Sequence, residues 1–318
     1  MNKKINQIIF NVDGKAFFPH LLNRLYSIVC LLFSDYDLFI PTNFNPYFQR
    51  FIKKNKPYVL TVHDMIDELY PFQTDYYERI VNYKKRCIEN ASMIIAISDK
   101  TKSDILRFYP QVENKIAVVK HGYSPKVTNF SIKNRIDKYG SYILFVGKRD
   151  GYKNFEFMIK NLHEFLKNNN INLCCIGGGD WTNDEKSLIE KLDLVQKTFQ
   201  ISAPEDEICQ YYCNALFFIY PSEYEGFGLP ILEAFSNDCP ILLSNSSCFP
   251  EIAGDAASYF ELNNSTDFKD KVELMFKNVD KREELKKKGR EMLLEYSIEK
   301  CIQETFNVYK QALDKSKK

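Results

Sequence analysis

Tryptophan occurs once, at Trp181, histidine only four times, and long apolar runs are missing. The longest, residues 28–33, falls far short of the roughly 20 residues that cross a bilayer as a helix. A surplus of one charge is missing too. Forty-three Lys and Arg face 42 Asp and Glu, a formal charge of +1, which excludes the basic excess of a nucleic-acid-binding domain. The nine cysteines are odd in number and scattered, so they read as reduced core residues and not as a disulfide framework. Cys209 and Cys213 stand four apart without a second Cys/His pair, so no zinc site is expected. The start, MNKKINQIIF, has no long apolar segment and no small-residue cleavage site. A secretory leader is not expected, and the protein is read as cytoplasmic with room for contact at a membrane surface.

What is present is an ordinary globular composition. Hydrophobic residues make up 45% of the chain and charged residues 27%, enough for large cores. Its length of 318 residues suits two domains of about 150 each. Short β-rich runs alternate with stretches of helical period, the pattern of parallel sheets covered by helices, so the class is α/β. Residues 58–62, 93–97 and 116–119 read as strands of a first unit. Between them Tyr76, Ile80, Tyr83 and Cys87 form one apolar helix face, and Ser98 is placed to cap a helix running to Phe108. The pattern lapses after residue 125. It returns with strands at 143–146, 173–176 and 216–220, and the last two open into Gly177-Gly178-Gly179 and into the loop from Pro221. Residues 261–288 read as charged helix, and an amphipathic helix from Ser297 carries Ile298, Cys301, Ile302, Phe306, Tyr309 and Leu313. The division expected is a first Rossmann-like domain over 1–125, a linker over 126–140, a second domain over 141–295 and a terminal helix over 296–318. Two doubly wound units with sites at the carboxyl ends of their strands imply a cleft between them.

The chemistry is concentrated after the strand at 216–220. Glu225, Gly226, Phe227, Gly228, Leu229 and Pro230 lead into Ile231, Leu232, Glu233 and Ala234. Physically this is a strand end, a glycine turn and a helix opened by Pro230 at its first position, where a missing N–H costs nothing. Gly226 and Gly228 let backbone approach a ligand, and the free amides of the helix start suit an anion. Glu225 before the turn and Glu233 one turn into the helix can accept hydroxyl hydrogen bonds from one bound molecule. A plain strand–turn–helix joint with surface glutamates is the other reading of the spacing.

The residue identities go further. E-G-F-G-L-P-x-x-E, with Glu225 and Glu233 separated by seven residues, resembles the E-x7-E signature of the retaining glycosyltransferases of family 4, which have the GT-B fold. Cys239-Pro240, Ser244-Asn245 and the run from Pro250 to Asp255 resemble the same family's donor domain. Val146-Gly147-Lys148-Arg149-Asp150-Gly151-Tyr152-Lys153-Asn154 looks like its basic loop. Thr61-Val62-His63-Asp64-Met65, Ile97-Ser98-Asp99 and the run from Pro41 to Phe48 resemble a mannosyltransferase-like branch.

The resemblance implies a metal-independent retaining hexosyltransferase, mannose-like in specificity, using a nucleotide diphosphate sugar and a glycan or lipid-linked acceptor in surface polysaccharide synthesis. It implies His63, Asp64 and Glu225 as catalytic residues. It assigns the donor to Gly147, Arg149, Lys153, Gly226, Phe227, Gly228, Leu229 and Glu233. Arg149 and Lys153 would neutralise the diphosphate in place of a metal or other cofactor, since no D-x-D stands at a strand end. The terminal helix is implied to return to the first domain, and His121-Gly122 reads as structural.

The departures are Ile40 where the branch usually has histidine, Asp238 where many members have glycine, and above all the start. The match begins near Leu21 and the first 20 residues hold only Gly14, so about one βαβ unit of the family's first domain is expected to be missing. A shortened first domain should expose a sheet edge, covered either by residues 5–12 as a replacement strand or by a partner protein. Donor affinity is then expected mostly from the second domain. The alternative function is a catalytically weak or silent nucleotide-sugar-binding partner subunit of a glycosyltransferase complex.

Overall fold

A computed structural model describes residues 17–71, 77–125, 136–204 and 206–317, with side chains from residue 21 onward. The expectations placed on residues 5–12, on Gly14, on Tyr76 and on most of the 126–140 linker lie outside the described residues.

The first domain contains α1 (Phe17–Phe33), β1 (Val59–Val62), α2 (Ile66–Leu69), α3 (Tyr77–Asn90), β2 (Met93–Ala96), α4 (Asp99–Phe108) and β3 (Ile116–Val118). The three strands are parallel in the order β1-β2-β3, and Phe39 makes a parallel bridge to Tyr58 beside β1. Leu60, Val62, Ile94 and Ala96 face a core shared with Leu31, Phe48, Cys87, Ile88 and Ile105. Val59, Met93 and Ile95 alternate onto the opposite face, as a strand period of two requires. Among the described residues the first sheet runs in the order Phe39-β1-β2-β3, and a reversal of strand order is seen in the second domain.

That domain contains β4 (Tyr142–Val146), α5 (Phe155–Asn168), β5 (Asn172–Ile176), α6 (Asn183–Lys191), β6 (Thr198–Ile201), α7 (Ile208–Asn214), β7 (Phe218–Tyr220), α8 (Leu229–Ser236), β8 (Ile241–Ser244), α9 (Phe249–Ala253) and β9 (Ser258–Phe260). The sheet is wholly parallel, in the order β6-β5-β4-β7-β8-β9. The order reverses between β4 and β7, the place where open α/β sheets bind ligands. Both faces are buried: Tyr142 and Leu144 pack with Tyr212, Leu232 and Phe235, while Ile143 and Phe145 pack with Met158, Leu162, Phe268 and Met275. Such double burial is why these strands read as near-continuous apolar runs.

Helices α10 (Ser265–Lys277) and α11 (Val279–Leu293) follow, and α12 (Ile298–Lys315) leaves the second domain. Ser297 caps α12 by accepting the Lys300 amide. Its Val308 and Ala312 then pack on Val59, Met93, Ile95 and Val119, so α12 forms the second cover of the first domain's sheet. Where the chain crosses between domains, the Tyr123 amide donates to the Tyr296 carbonyl at 2.7 Å.

Candidate functional site

The carboxyl ends of β4, β5 and β7 converge opposite the carboxyl end of β1. Glu225 lies in the loop after β7, is 8% exposed, and receives Lys153 Nζ on Oε1 at 2.5 Å. Lys153 comes from the basic loop after β4, so this pair spans the switch point. Two further bonds tie the loops: the Glu223 amide donates to the Tyr152 carbonyl at 2.7 Å, and the Glu225 amide donates to Ser247 Oγ at 3.0 Å. Beneath the pair lies Tyr220, whose ring is 5.7 Å from Lys153 Nζ. Burial, and then the neighbouring Glu225 charge, push the Tyr220 phenol far above its ordinary value, so it is a hydrogen-bond donor throughout the physiological range.

Gly226 and Gly228 do different work in the turn. Gly226 is wedged against the first domain: a Cβ there would stand 1.8 Å from the His63 carbonyl oxygen. Gly228 has φ +89 and acts as N-cap of α8, a conformation glycine adopts without the penalty of a side chain. Helix α8 begins at Leu229, so Pro230 is its second residue and not its first. The consequence is unchanged, because the first four amides of a helix have no partner within it. Leu229 is 44% exposed at this helix start. Glu233, one turn further, is half-buried and accepts the Tyr212 hydroxyl on Oε2 at 3.0 Å.

Two of the expected donor residues have their side chains engaged within the protein. Arg149 does not stand beside Lys153 as a second free cation. It is 8% exposed, and its guanidinium binds Glu185 Oε1 at 2.7 Å and the carbonyls of Gly177 at 2.5 Å, Gly179 at 2.9 Å and Asp180 at 3.1 Å. It also lies 4.5 Å from the Trp181 ring. The planar fork of donors suits this task, and Arg149 shapes the glycine loop after β5. Burial raises the Glu185 carboxyl, but its bonds from Arg149 and the Thr182 amide outweigh that and hold it below the ordinary value. Phe227 likewise presents no side chain to the cleft. It is 3% exposed and meets His121 and Tyr296 edge-on at 5.0 and 5.8 Å, which leaves only its backbone for a ligand. Gly147 borders open space, with nothing within 4 Å of where a Cβ would lie.

On the first-domain side His63 is exposed and stacks on His121 at 5.6 Å. Asp64 accepts the Ile66 amide on Oδ1 at 3.0 Å, and the same oxygen lies 3.8 Å from Lys84 Nζ. Lys84 was not anticipated. It is fully buried on the inner face of α3, bonded to Glu68 Oε2 at 2.9 Å and 3.9 Å from Asp67. Burial raises the Asp67 and Glu68 carboxyls, and Lys84 opposes the rise. Among the described residues no group of three or more His, Cys, Asp or Glu side chains is placed to hold a metal ion. No helix among them is long and apolar enough to cross a membrane.

Two facing Rossmann-like domains thus bring an anion-suited helix start and a pair of opposite charges to the switch point. The family model for glycosyl transferases group 1 matches residues 127–292, just over half of the chain, and that for Glycosyltransferase Family 4 matches residues 9–127. The chain belongs to the glycosyl transferases group 1 family. It is 26% identical over 235 residues to O-antigen chain mannosyltransferase B of Escherichia coli, covering 70% of this chain and 61% of that one. With O-antigen chain mannosyltransferase RfbU of Salmonella typhimurium it shares 28% over 204 residues, covering 63% and 55%. The chain thus spans 61% and 55% of the length of these relatives. Its fold is that of sucrose-phosphate synthase from Thermosynechococcus elongatus, with a TM-score of 0.76 at 17% identity over 95% of this chain and 80% of that one.

Proposed function

We propose that this chain is a retaining glycosyltransferase that moves a hexose, mannose-like, from a nucleotide diphosphate sugar to a glycan or lipid-linked acceptor of surface polysaccharide. The observation that carries the reading is the Lys153–Glu225 pair at 2.5 Å beside the start of α8. Without donor the two charges satisfy each other. With donor, Lys153 turns to the diphosphate alongside the Gly226, Phe227, Gly228 and Leu229 amides, and Glu225 is released to accept a sugar hydroxyl. Glu233, oriented by the Tyr212 hydroxyl, takes the ribose. In the transfer, the bond from the sugar's anomeric carbon to the phosphate oxygen breaks and a bond to the acceptor oxygen forms on the same face. The acceptor proton passes to the departing phosphate, whose growing negative charge Lys153 and the helix amides stabilise. His63 and Asp64 approach from the first domain to orient the acceptor. This chemistry asks for no divalent cation. The two mannosyltransferase relatives support the sugar and the setting, and contact with a membrane surface from the cytoplasmic side fits a lipid-linked acceptor.

One observation favours a second reading, a nucleotide-sugar-binding partner subunit. Among the described residues, helix α1 exposes Leu22, Leu25, Val29, Leu32 and Phe33 near the Phe39 bridge, an apolar surface suited to a partner. A thermal-shift screen over nucleoside diphosphates and nucleotide sugars, followed by transfer assays with and without chelator, separates the readings. Binding with chelator-resistant turnover supports the enzyme, and binding without turnover supports the subunit. No binding of any nucleotide refutes both, and rescue of turnover by magnesium or manganese refutes metal independence.

A further inference from the structure

Helix α4 belongs to the first domain, yet it is bonded to the loop that carries Glu225. Ser98 Oγ donates to the Gly226 carbonyl at 2.7 Å and accepts the Thr101 amide at 3.0 Å. The Tyr224 hydroxyl donates to Asp104 Oδ2 at 2.9 Å and accepts the Met65 amide at 3.2 Å. Both sequence neighbours of Glu225 are therefore held by the first domain, while its own carboxylate is held by Lys153 of the second. Asp104 is 2% exposed, and its other oxygen pairs with Lys100. Tyr224 is 3% exposed, and burial together with the Asp104 charge keeps its phenol protonated. The attachment is returned from the other side. Glu251 of the second domain accepts the Asp99 and Lys100 amides at 3.1 and 3.2 Å and pairs with Lys120 at 3.0 Å. A carboxylate on the unpaired amides of a helix start is favoured by both hydrogen bonding and the helix dipole.

We propose that Asp104, acting through Tyr224, is a positioning residue for the transfer site: from the first domain it sets the 224–226 loop, and with it the Glu225 carboxylate. It rests on the function proposed above. Buried side chains whose hydrogen bonds are met by the first domain leave the loop one place to sit, and that place exists only when the domains hold this register. A residue that merely glued the domains would affect stability in proportion to lost contacts. A positioning residue lowers turnover while the donor still binds, and it is rescued by any side chain that offers Tyr224 an acceptor.

The test uses the full chain with Tyr224→Phe, Asp104→Ala and Asp104→Asn, reading amide hydrogen exchange over residues 221–229 and steady-state transfer. Tyr224→Phe and Asp104→Ala should each speed exchange in that loop and lower kcat by about tenfold or more, with the donor KM little changed. Their double variant should fall no further than either alone, because the two act as one unit. Asp104→Asn, which keeps an oxygen for the Tyr224 hydroxyl, should recover most of kcat. Should Asp104→Ala fail to fold, Ser98→Ala, which removes the Gly226 bond together with the cap on the Thr101 amide, should give the same loop exchange and loss of kcat. Unchanged loop exchange overturns the proposal, as does faster exchange with undiminished kcat, or an Asp104→Asn variant as poor as Asp104→Ala. If the wild-type chain neither binds a nucleotide nor transfers a sugar, the proposed function fails, and the exchange measurement still decides whether Asp104 holds the loop.

Discussion

Replacing Gly226 by alanine adds a single methyl group at the seam between the domains. An ideal Cβ there lies 1.8 Å from the His63 carbonyl oxygen, 2.9 Å from its carbon and 3.1 Å from Asp64 Cβ. Gly226 is not among the glycines with positive φ, so alanine meets no intrinsic backbone penalty. A less flexible unfolded chain would even favour the variant by about 0.4–1 kcal/mol. The clash decides the outcome. Contacts under 3.0 Å are essentially unknown for real Cβ atoms, so the closest contact must lengthen by 1.2 Å, and the obstacle is backbone that cannot rotate aside. Overpacking of this kind costs about 1–3 kcal/mol, and each kcal/mol lowers Tm by about 2–4 °C in domains this large. The larger effect falls on chemistry. The loop moves away from His63 and Asp64, and a misplacement of about 1 Å costs roughly a hundredfold in rate. Calorimetry and single-turnover transfer on the full chain should show a modest loss of Tm with a much larger loss of rate. A variant with wild-type rate and Tm would refute the argument that this close approach builds the site.

Three further outcomes follow from the buried charges. Lys84→Met strands Glu68 beside Asp64 and Asp67 and should cost about 3–5 kcal/mol in urea unfolding, much of it recovered when Glu68→Leu is added; equal stability of Lys84→Met and wild type would show that the pair is not buried in solution. Burial, and then the adjacent His63, hold the His121 imidazole below its ordinary 6.5. Just below that pH the unfolded chain binds a proton that the folded chain does not, so stability is full above about pH 6.5 and declines as the pH falls beneath it. His121→Gln should flatten that slope in unfolding curves, and an unaltered slope assigns the titration elsewhere. Arg149→Lys cannot span Glu185 and three carbonyls at once, so exchange at residues 177–181 should rise while nucleotide affinity falls less than in Lys153→Ala. The reverse order of affinities would place Arg149 on the diphosphate.

Legibility in the sequence followed the range of the interactions. Three of the six strands of the second sheet were readable because burial on both faces leaves apolar runs such as residues 143–146 and 173–176, and Gly228 and Pro230 mark their turn through local backbone chemistry. Arg149 shows the limit. A basic residue after a strand looks the same whether it faces a phosphate or a row of carbonyls, and the one readable hint was the capping box of Thr182 with Glu185, which supplies its partner. Lys84 was hidden because a lysine reads as a break in an apolar face, and the period shifted to Tyr83. Its carboxylates lie on α2 and just before it, reachable only through the fold. Most distant of all are Tyr224 with Asp104 and Gly226 with Ser98, more than a hundred positions apart in each case. These contacts change what the motif means. The E-G-F-G turn reads as property of the second domain, and donor affinity was expected to reside there. Folded, its Tyr224 hydroxyl and Gly226 carbonyl are satisfied by α4, and in a second domain alone both would lose those partners. The conformation that presents Glu225 is thus a property of the two domains together, and the cleft is where the fold itself is completed.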